Sequence, residues 1–235
     1  DKLMATERYE AWESIARKLA PEIKNPLSPI QLSIDRLREK YSKEISSNYV
    51  DFEKYLETIN RQIRDIESLV NEFSNFARMP RPIFKKINIV EVVQRSIDFV
   101  KMSTKNKIYF LTKNKKLIIS GDSEQLNRAF INLIKNSEES FQDLLDKNPN
   151  FKGKIDIEII SNYDYIMIKL TDNGTGISDT KKVMTPYFTT KTKGTGLGLP
   201  IVSKIINEHS GDFLISNKNK GTGVIVEITF PKRNA

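Results

Sequence analysis

The chain has 235 residues, of which 38% are hydrophobic, so it can bury a sizeable core and suits two domains better than one. It contains no cysteine and one histidine, which excludes a disulfide framework, a thiolate metal site and a histidine-based metal cluster. The net charge of +8 comes from 38 basic residues interspersed with 30 acidic ones, so charge alone identifies no partner.

Membrane association is not predicted for this stretch of sequence. No run approaches the roughly 18–20 apolar residues that span a bilayer, and no apolar signal segment opens the chain. Because the chain begins with Asp1, we expect it to be part of a longer protein. We therefore expect a cytoplasmic location, with any membrane anchor lying upstream.

Two long amphipathic helices are predicted at the start of the chain. Apolar residues recur at steps of three and four, in a stripe from Trp12 to Tyr41 and in a heptad seam from Phe52 to Ala77. The polar link at 42–48 is short, so the two helices must run antiparallel. A hairpin cannot bury so rich a seam alone, and we expect two copies to form a four-helix bundle. A plain structural coiled coil is the alternative.

Pro21 is an unusual residue for the first predicted helix. It lies two positions after Leu19 and two before Ile23, on the side facing away from the apolar stripe. Proline cannot donate a hydrogen bond to the carbonyl of Arg17, at a cost of about 3 kcal/mol within a helix. We therefore expect a local kink or a frayed turn over residues 17–21.

The second part of the chain reads as an α/β unit. Two prolines in "MPRPI", residues 79–83, end the helices, so the predicted domains are 1–80 and 81–235. Helical spacing covers Ile87–Val100, Asp122–Leu145 and 199–209, and the β-rich runs are "KIYFLT", "KLIIS", "KIDIEII", "YIMIKLTD", "DFLISN" and "GVIVEITF". These elements do not alternate as βαβ units. We therefore predict an α+β chain whose second domain is a two-layer sandwich, a mixed sheet covered on one face by helices.

Two short stretches place polar groups where they can bind a nucleotide. "NLIKN" sets Asn132 and Asn136 four residues apart on one helix face, where their amide oxygens can converge on Mg²⁺. "DNGTGI" holds the Asp172 carboxylate beside Gly174 and Gly176, whose backbone can approach a flat ring or a phosphate. Taken alone, the first is explained by solvated asparagines and the second by a turn.

Two glycine-rich stretches complete the pattern. "GTGLGL" places Gly194, Gly196 and Gly198 at the opening of a helix, where free amide groups face an anion. "GTGVIVEITF" places Thr222 between two glycines at the entry to the last strand. A dinucleotide-binding fold is excluded because "GTGLGL" follows a loop and not a strand. The four stretches in this order form a strong nucleotide-binding signal.

Together with "PYFTTK", these stretches resemble the N, G1, F, G2 and last glycine boxes of sensor histidine kinases, over essentially the entire chain. "EIKNPLSPIQLSIDRL" and "TPYFTTKTKGTGLGLPIVSKIINEHSG" are most similar to the NtrY-like, nitrogen-regulation branch. The resemblance implies an ATP-binding catalytic domain of the Hsp90/gyrase/MutL type at 81–235. It implies a dimerisation and histidine-phosphotransfer hairpin at 1–80.

The resemblance also implies roles for individual residues. Asp172 would receive the adenine amino group, Asn136 would hold Mg²⁺, and Asn132 would lie near the phosphates. Residues 175–193 would form a lid over the bound nucleotide. The other implied nucleotide-binding positions are Gly174, Gly176, Phe188, Lys191, Lys193, Gly194, Thr195, Gly196, Leu197, Gly198 and Thr222.

The chain departs from the family at the acceptor position. The family motif is His followed by Glu-x-x-Asn-Pro, and here Pro21 precedes Glu22 and Asn25. Proline carries no nucleophile and cannot accept a phosphoryl group. By resemblance, Glu22 would be a general base, and Asn25 would orient the water that dephosphorylates a receiver aspartate. His209 is expected to end a helix ahead of Gly211 and not to act as an acceptor.

Three functions follow from these observations. The preferred one is a homodimeric histidine kinase core that binds Mg·ATP and a response regulator receiver, cannot phosphorylate itself at position 21, and retains phosphatase or regulatory function. The second is an enzyme of the same ATP fold that phosphorylates a protein in trans or hydrolyses ATP. The third is a dimeric scaffold whose ATP site only sets conformation. Nucleic-acid binding is not expected, because no reader motif is present.

Overall fold

The computed structural model describes residues 2–45, 47–77, 79–180, 182–186, 188–189 and 195–232, with only the backbone given for 2–14, 16–17, 72–73 and 75–77. The chain divides into two compact units, Asp1–Pro80 and Arg81–Ala235. They are called the helical unit and the catalytic unit below, and each is described by itself.

The helical unit is a hairpin of two long helices, α1 (Lys2–Tyr41) and α2 (Tyr49–Ala77). Leu27 and Ile34 of α1 pack with Leu56 and Ile63 of α2, and Phe52 lies at the edge of this cluster. Each buried pair is spaced by seven residues, as a heptad seam requires. The predicted helical hairpin is therefore confirmed.

A second row of apolar side chains on the same hairpin stays largely exposed. Ile23 and Ile30 of α1 are 37% and 45% exposed, and Ile59 and Ile66 of α2 are 44% and 41% exposed. These residues are again spaced by seven on each helix. One hairpin thus buries one row of its seam and leaves a parallel row uncovered.

Helix α1 continues without interruption through Pro21, Pro26 and Pro29, so the expected frayed turn before Pro21 is wrong, whereas the alternative of a kink there stays a prediction. The side chain of Pro21 is exposed, and its neighbour Ala20 is 1% exposed. Each proline removes only its own N–H donor. The flanking turns and the packing at Ala20 and Leu27 hold the helix together.

The catalytic unit contains three helices, seven strands and one 3₁₀ turn among its described residues. The helices are α3 (Ile89–Lys101), α4 (Ser123–Lys147) and α5 (Gly198–Glu208), and the 3₁₀ turn is Lys182–Met184. The strands are β1 (Lys85–Asn88), β2 (Lys107–Thr112), β3 (Ile118–Gly121), β4 (Lys154–Ser161), β5 (Tyr165–Asp172), β6 (Asp212–Asn217) and β7 (Val224–Pro231).

Five of the strands form one mixed sheet in the order β2-β4-β5-β7-β6. Strand β2 runs parallel to β4, and all other neighbours are antiparallel, while β1 and β3 form a separate antiparallel pair. The mixed topology agrees with the prediction. It places the end of β5 beside the start of β7, where two of the glycine-rich stretches meet.

The core lies between the helices and one face of this sheet. Alternate residues of the central strand β5, such as Ile166, Ile168 and Leu170, are buried, as the period of two in a half-covered sheet requires. On strand β2 at the sheet edge, Tyr109 and Leu111 are 49% and 62% exposed. Helices therefore cover one face of the sheet, as predicted.

The start of helix α3 differs from the prediction. Residues Ile87 and Asn88 were expected to be helical, but they belong to β1, where Ile87 pairs with Ile119. The helix begins at Ile89 because the Asn88 side chain accepts a hydrogen bond from the Val90 N–H at 3.3 Å. Asparagine is a strong N-cap residue, so Asn88 in the sequence indicates that α3 starts at the next residue.

His209 caps the C-terminus of α5, as predicted, and is only 5% exposed. Its Nδ1–H donates to the Ile205 carbonyl at 2.7 Å, since the carbonyl can only accept, and its Nε2 accepts from the Asp122 N–H at 2.9 Å. This arrangement requires a neutral ring. Burial lowers the pKa of His209 below its usual 6.5, although the Ile205 hydrogen bond and the Asp122 carboxylate oppose the shift.

Acidification is expected to destabilise the catalytic unit through His209. Because the folded pKa lies below the unfolded value of 6.5, the stabilisation is complete above pH 6.5 and is lost as the pH falls towards the folded pKa. Urea unfolding between about pH 7.5 and about pH 5.5 measures the loss. The His209→Gln variant has no titrating ring and is expected to lose less stability over this interval. Equal losses in both proteins would contradict the prediction.

Candidate functional site

Asp172, at the end of β5, is 4% exposed and accepts three hydrogen bonds. Its Oδ2 accepts from the Ser137 hydroxyl at 2.9 Å, and its Oδ1 accepts from the N–H groups of Gly174 at 2.9 Å and Val224 at 3.1 Å. A carboxylate offers about four acceptor positions, two on each oxygen. Among the described contacts, Oδ2 therefore accepts one hydrogen bond and has one acceptor position left.

Two glycines allow the chain to close around Asp172. A side chain at Gly223, whose φ is +120°, would place its Cβ 2.1 Å from the Asp172 carbonyl oxygen. A Cβ at Gly174 would lie 1.9 Å from the Ser140 hydroxyl. At Gly223 only glycine permits this approach of backbone to backbone, and at Gly174 a side chain would displace that of Ser140. The start of β7 and the loop after β5 thus reach the same carboxylate.

An open pocket of about 530 Å³ lies where these segments meet. Its volume is within the range of ordinary small-molecule sites. Its lining residues are Thr175, Gly176, Ile177, Ser178, Asn217, Gly221, Thr222 and Gly223. The pocket therefore joins the "DNGTGI" stretch to the last glycine stretch, and Thr222 is one of its walls.

Asn217 is a pocket residue that sequence analysis missed. Its Nδ2 donates to the Ile177 carbonyl at 2.7 Å and its Oδ1 accepts from the Ile177 N–H at 2.8 Å. The side-chain amide thereby imitates a backbone pair and fixes the first residues after "DNGTG". Gly176 lies against it, since a Cβ there would be 3.1 Å from Asn217 Oδ1. The two partners are 40 residues apart, so no local pattern indicates the contact.

The asparagines of "NLIKN" lie on α4, half-buried and one turn apart. The residue after Asn136 is Ser137, which donates to Asp172. Asn136 also borders the start of α5, because a Cβ at Gly198 would lie 3.6 Å from both polar atoms of its amide. Asn136 therefore lies between the Asp172 carboxylate and the N-terminus of α5.

The N-terminus of α5 is built from apolar and glycine residues. Leu197 occupies the N-cap position and is fully buried, and among the described residues no side chain caps the first amides of this helix. Gly196 has a φ of +69°, and Thr195 Oγ1 accepts from the Leu197 N–H at 3.4 Å. The uncapped amides leave donors for an anion.

The remaining predicted positions lie in or beside the segment 175–193. Phe188 is half-buried, and its N–H donates to the Thr185 carbonyl at 3.2 Å. Lys191, Lys193 and Gly194 lie outside the described residues. The proposed lid at 175–193 contains the 3₁₀ turn Lys182–Met184, and its role stays a prediction.

Two family models match the chain. Residues 11–82 match the His Kinase A (phospho-acceptor) domain, and residues 121–234 match the histidine kinase-, DNA gyrase B- and HSP90-like ATPase family. Among solved structures, the nucleotide-free catalytic domain of histidine kinase ThkA is similar, with 29% identity, a TM-score of 0.55, and coverage of 64% of this chain and 96% of that domain.

Relatives align along nearly the whole chain. An NtrY-like sensor histidine kinase of Rickettsia conorii is 38% identical, and the nitrogen regulation protein NtrY of Azorhizobium caulinodans is 33% identical, each over 97% of this chain. The alignments span only 37% and 30% of those proteins. ThkA in complex with the response regulator TrrA shares the fold over 97% of this chain and 64% of that one, with 23% identity and a TM-score of 0.66.

The chain combines a phospho-acceptor helical hairpin with an ATPase domain of the histidine kinase type. It belongs to the sensor histidine kinase family, and its relatives include NtrY-like members. The single histidine is His209, so residues 11–82, the matched phospho-acceptor region, contain none. Within the described residues, no helix has the length and hydrophobicity needed to cross a bilayer.

Replacing Asn217 with alanine is expected to weaken ATP binding about tenfold, because two hydrogen bonds that hold Ile177 at the pocket wall are lost. Isothermal titration calorimetry with Mg·ATP measures the effect. Asn219→Ala is the matched control, since Asn219 is exposed two residues further along and does not line the pocket. Equal affinities of the two variants would show that Asn217 does not shape the site.

Proposed function

We propose that the chain is the Mg·ATP-binding and receiver-binding core of a two-component sensor kinase in which Pro21 abolishes autophosphorylation at the acceptor position. The observation that supports the proposal is that a buried carboxylate, two close-approach glycines and a helix N-terminus without a side-chain cap occur together in a chain that has proline at position 21.

The residues of the site fit Mg·ATP in their chemistry. The free acceptor position on Asp172 Oδ2 suits the exocyclic amine of adenine, and the uncapped amides of α5 suit phosphate oxygens. Asn132 and Asn136 offer amide oxygens of the kind that Mg²⁺ accepts. When bound, the ion would supply charge neutralisation at the phosphates. The side chains orient the nucleotide, and the buried position of Asp172 excludes water from the base contact.

The acceptor region of α1 keeps its other polar groups. Pro21, Glu22 and Asn25 are all exposed on an uninterrupted helix. Asn25 lies four residues after Pro21 and three after Glu22, so the three side chains share one face of the helix. Proline has no lone pair to attack the γ-phosphate. Asn25 can still hold a water molecule against the phosphorylated aspartate of a docked receiver, with Glu22 available as a general base.

A homodimer follows from the uncovered apolar row of the hairpin. Ile23, Ile30, Ile59 and Ile66 keep between 37% and 45% exposure in the single chain. A second hairpin can cover them in a four-helix bundle, which is the packing that heptad-spaced residues favour. Such a dimer would present two copies of the Pro21 face to receiver domains.

A non-catalytic scaffold is the second candidate, and the proline at position 21 is the observation that favours it. In that case the ATP site would only set the conformation of the dimer. A kinase acting in trans on another protein would also use the nucleotide site without position 21. Phosphate transfer experiments separate these possibilities.

Restoring the acceptor is expected to restore phosphorylation. The Pro21→His chain should become labelled by Mg·[γ-³²P]ATP, whereas the unaltered chain should not, because only the imidazole supplies a nucleophile at this position. Denaturing gel autoradiography of both chains measures the transfer. Label on the unaltered chain would reveal another acceptor and overturn the account of Pro21. Absence of label on both, with ATP bound, would favour the scaffold.

Dephosphorylation of a receiver is expected to depend on Asn25. With the cognate response regulator phosphorylated in advance, the unaltered chain should accelerate loss of phosphate, and Asn25→Ala should reduce that acceleration at least about tenfold. Phosphate release over time measures the rate. Asn71→Ala is the matched control, since Asn71 is exposed on the other helix of the hairpin. Equal rates for the two variants would remove Asn25 from the mechanism.

A further inference from the structure

Asp122 carries one more contact than a helix cap needs. As the N-cap of α4, its Oδ1 accepts from the N–H groups of Glu124 at 3.0 Å and Gln125 at 3.2 Å. Its Oδ2 accepts from the N–H of Ile83 at 2.8 Å, 39 residues earlier in the chain. Burial opposes ionisation, but these three backbone hydrogen bonds outweigh it and lower the pKa of Asp122. The carboxylate thus holds a cap and a distant segment together.

His209 contacts the same place from another side. Its Nε2 accepts from the Asp122 N–H at 2.9 Å, and its ring lies 5.2 Å from the ring of Phe84, centre to centre. Gly121 makes room for it, since a Cβ there would be 3.1 Å from His209 Cδ2. Ile83, Phe84, Asp122 and His209 form one cluster, called the connector clamp below.

The segment held by this clamp lies at the start of the catalytic unit, between α2 and β1, and is called the connector below. Helix α2 ends at Ala77 and β1 begins at Lys85, so Ile83 and Phe84 are the last connector residues before the catalytic unit's first strand. Their side chains are 69% and 49% exposed, so hydrophobic burial does little to hold them. The hydrogen bond from the Ile83 N–H to Asp122 and the contact between the Phe84 and His209 rings are two specific contacts that hold them.

The clamp also sits at the far end of the helices that build the nucleotide site. Helix α4 begins one residue after Asp122 and carries Asn136, while α5 ends one residue before His209 and begins at Gly198. Asn136 and Gly198 are neighbours at the site. The two helices are therefore joined at the nucleotide site and joined again at the clamp.

We propose that Asp122 and His209 are positioning residues that anchor the connector and couple its attachment to occupancy of the nucleotide site through α4 and α5. The coupling rests on the proposed function, since it needs a bound nucleotide, whereas the anchoring does not. Asn136 and the amides at the start of α5 would both contact a nucleotide in the proposed site, so a bound nucleotide would link α4 and α5 at that end. Closer packing of α4 and α5 would keep the hydrogen bond between the Asp122 N–H and His209 Nε2. The Ile83 N–H would then detach from Asp122 less often.

The test uses amide hydrogen exchange of Ile83 and ATP affinity in the same 235-residue chain. Asp122→Ser keeps an N-cap oxygen for α4 but loses the oxygen that Ile83 needs. The Ile83 amide is expected to exchange at least about tenfold faster in this variant, while Glu124 and Gln125 stay protected. Asn88→Ser is the control for a serine N-cap, because it makes that change at the N-cap of α3, five residues after Ile83, and leaves the Asp122 carboxylate in place.

If nucleotide binding strengthens attachment of the connector, attachment of the connector must strengthen nucleotide binding by the same factor. Mg·ATP should slow exchange at Ile83 about fivefold in the unaltered chain, and Asp122→Ser should weaken ATP binding by up to the same factor, which is reached when the connector is mostly detached in the variant. His209→Phe, which leaves the Asp122 N–H without its acceptor, should behave like Asp122→Ser. His209→Gln, whose Oε1 can accept that N–H, should recover most of the affinity.

Three results would decide against parts of this account. If ATP binds but leaves Ile83 exchange unchanged, and Asp122→Ser binds ATP as tightly as Asn88→Ser, the coupling is overturned. If Asp122→Ser leaves Ile83 protected, the anchoring is overturned as well. If the unaltered chain binds no ATP, the proposed function fails, and Ile83 exchange in Asp122→Ser still decides the anchoring.

Discussion

The buried carboxylate of Asp172 is the interaction on which the catalytic unit depends. Burying a carboxyl group to 4% exposure is costly unless its oxygens are hydrogen-bonded, and three donors from three segments offset that cost. Those donors come from α4, from the loop after β5 and from the start of β7. Because Gly223 must be glycine for β7 to come so close, the same contacts hold the fold together and shape the ligand site.

Local patterns in the sequence predicted the elements of this fold well. The runs "KIYFLT", "YIMIKLTD" and "DFLISN" coincide with β2, β5 and β6. They succeed because a period of two is a property of the strand itself. The start of α3 was wrong by two residues, since apolar spacing was followed past the cap at Asn88. Contacts between distant segments could not be predicted from local patterns. Asn217 and Ile177 are 40 residues apart, and Asp122 and His209 are 87 residues apart.

Pro21 shows that packing between helices can outweigh the unfavourable helix propensity of proline. The cost of about 3 kcal/mol describes a proline in the interior of an exposed helix, and most helical stability in proteins comes instead from packing of the apolar face. Here Ala20 and Leu27 are buried on either side of the proline in sequence, and α1 stays intact. Under the proposed function, proline at position 21 would therefore remove the chemistry of an acceptor without removing the helix, and Glu22 and Asn25 are exposed on that helix.

The N-terminus of α5 bears on the choice between a nucleotide-binding unit and a purely structural one. Leu197 at the N-cap is fully buried, so core packing fixes this end of the helix, and no side chain of the described residues caps its first amides. Gly221 has a φ of +77°, which favours glycine whatever the space around it, so its conformation needs no ligand to explain it. The amides of α5 therefore carry the argument, because they leave N–H donors without a side-chain partner at the place where the proposed function puts the phosphates.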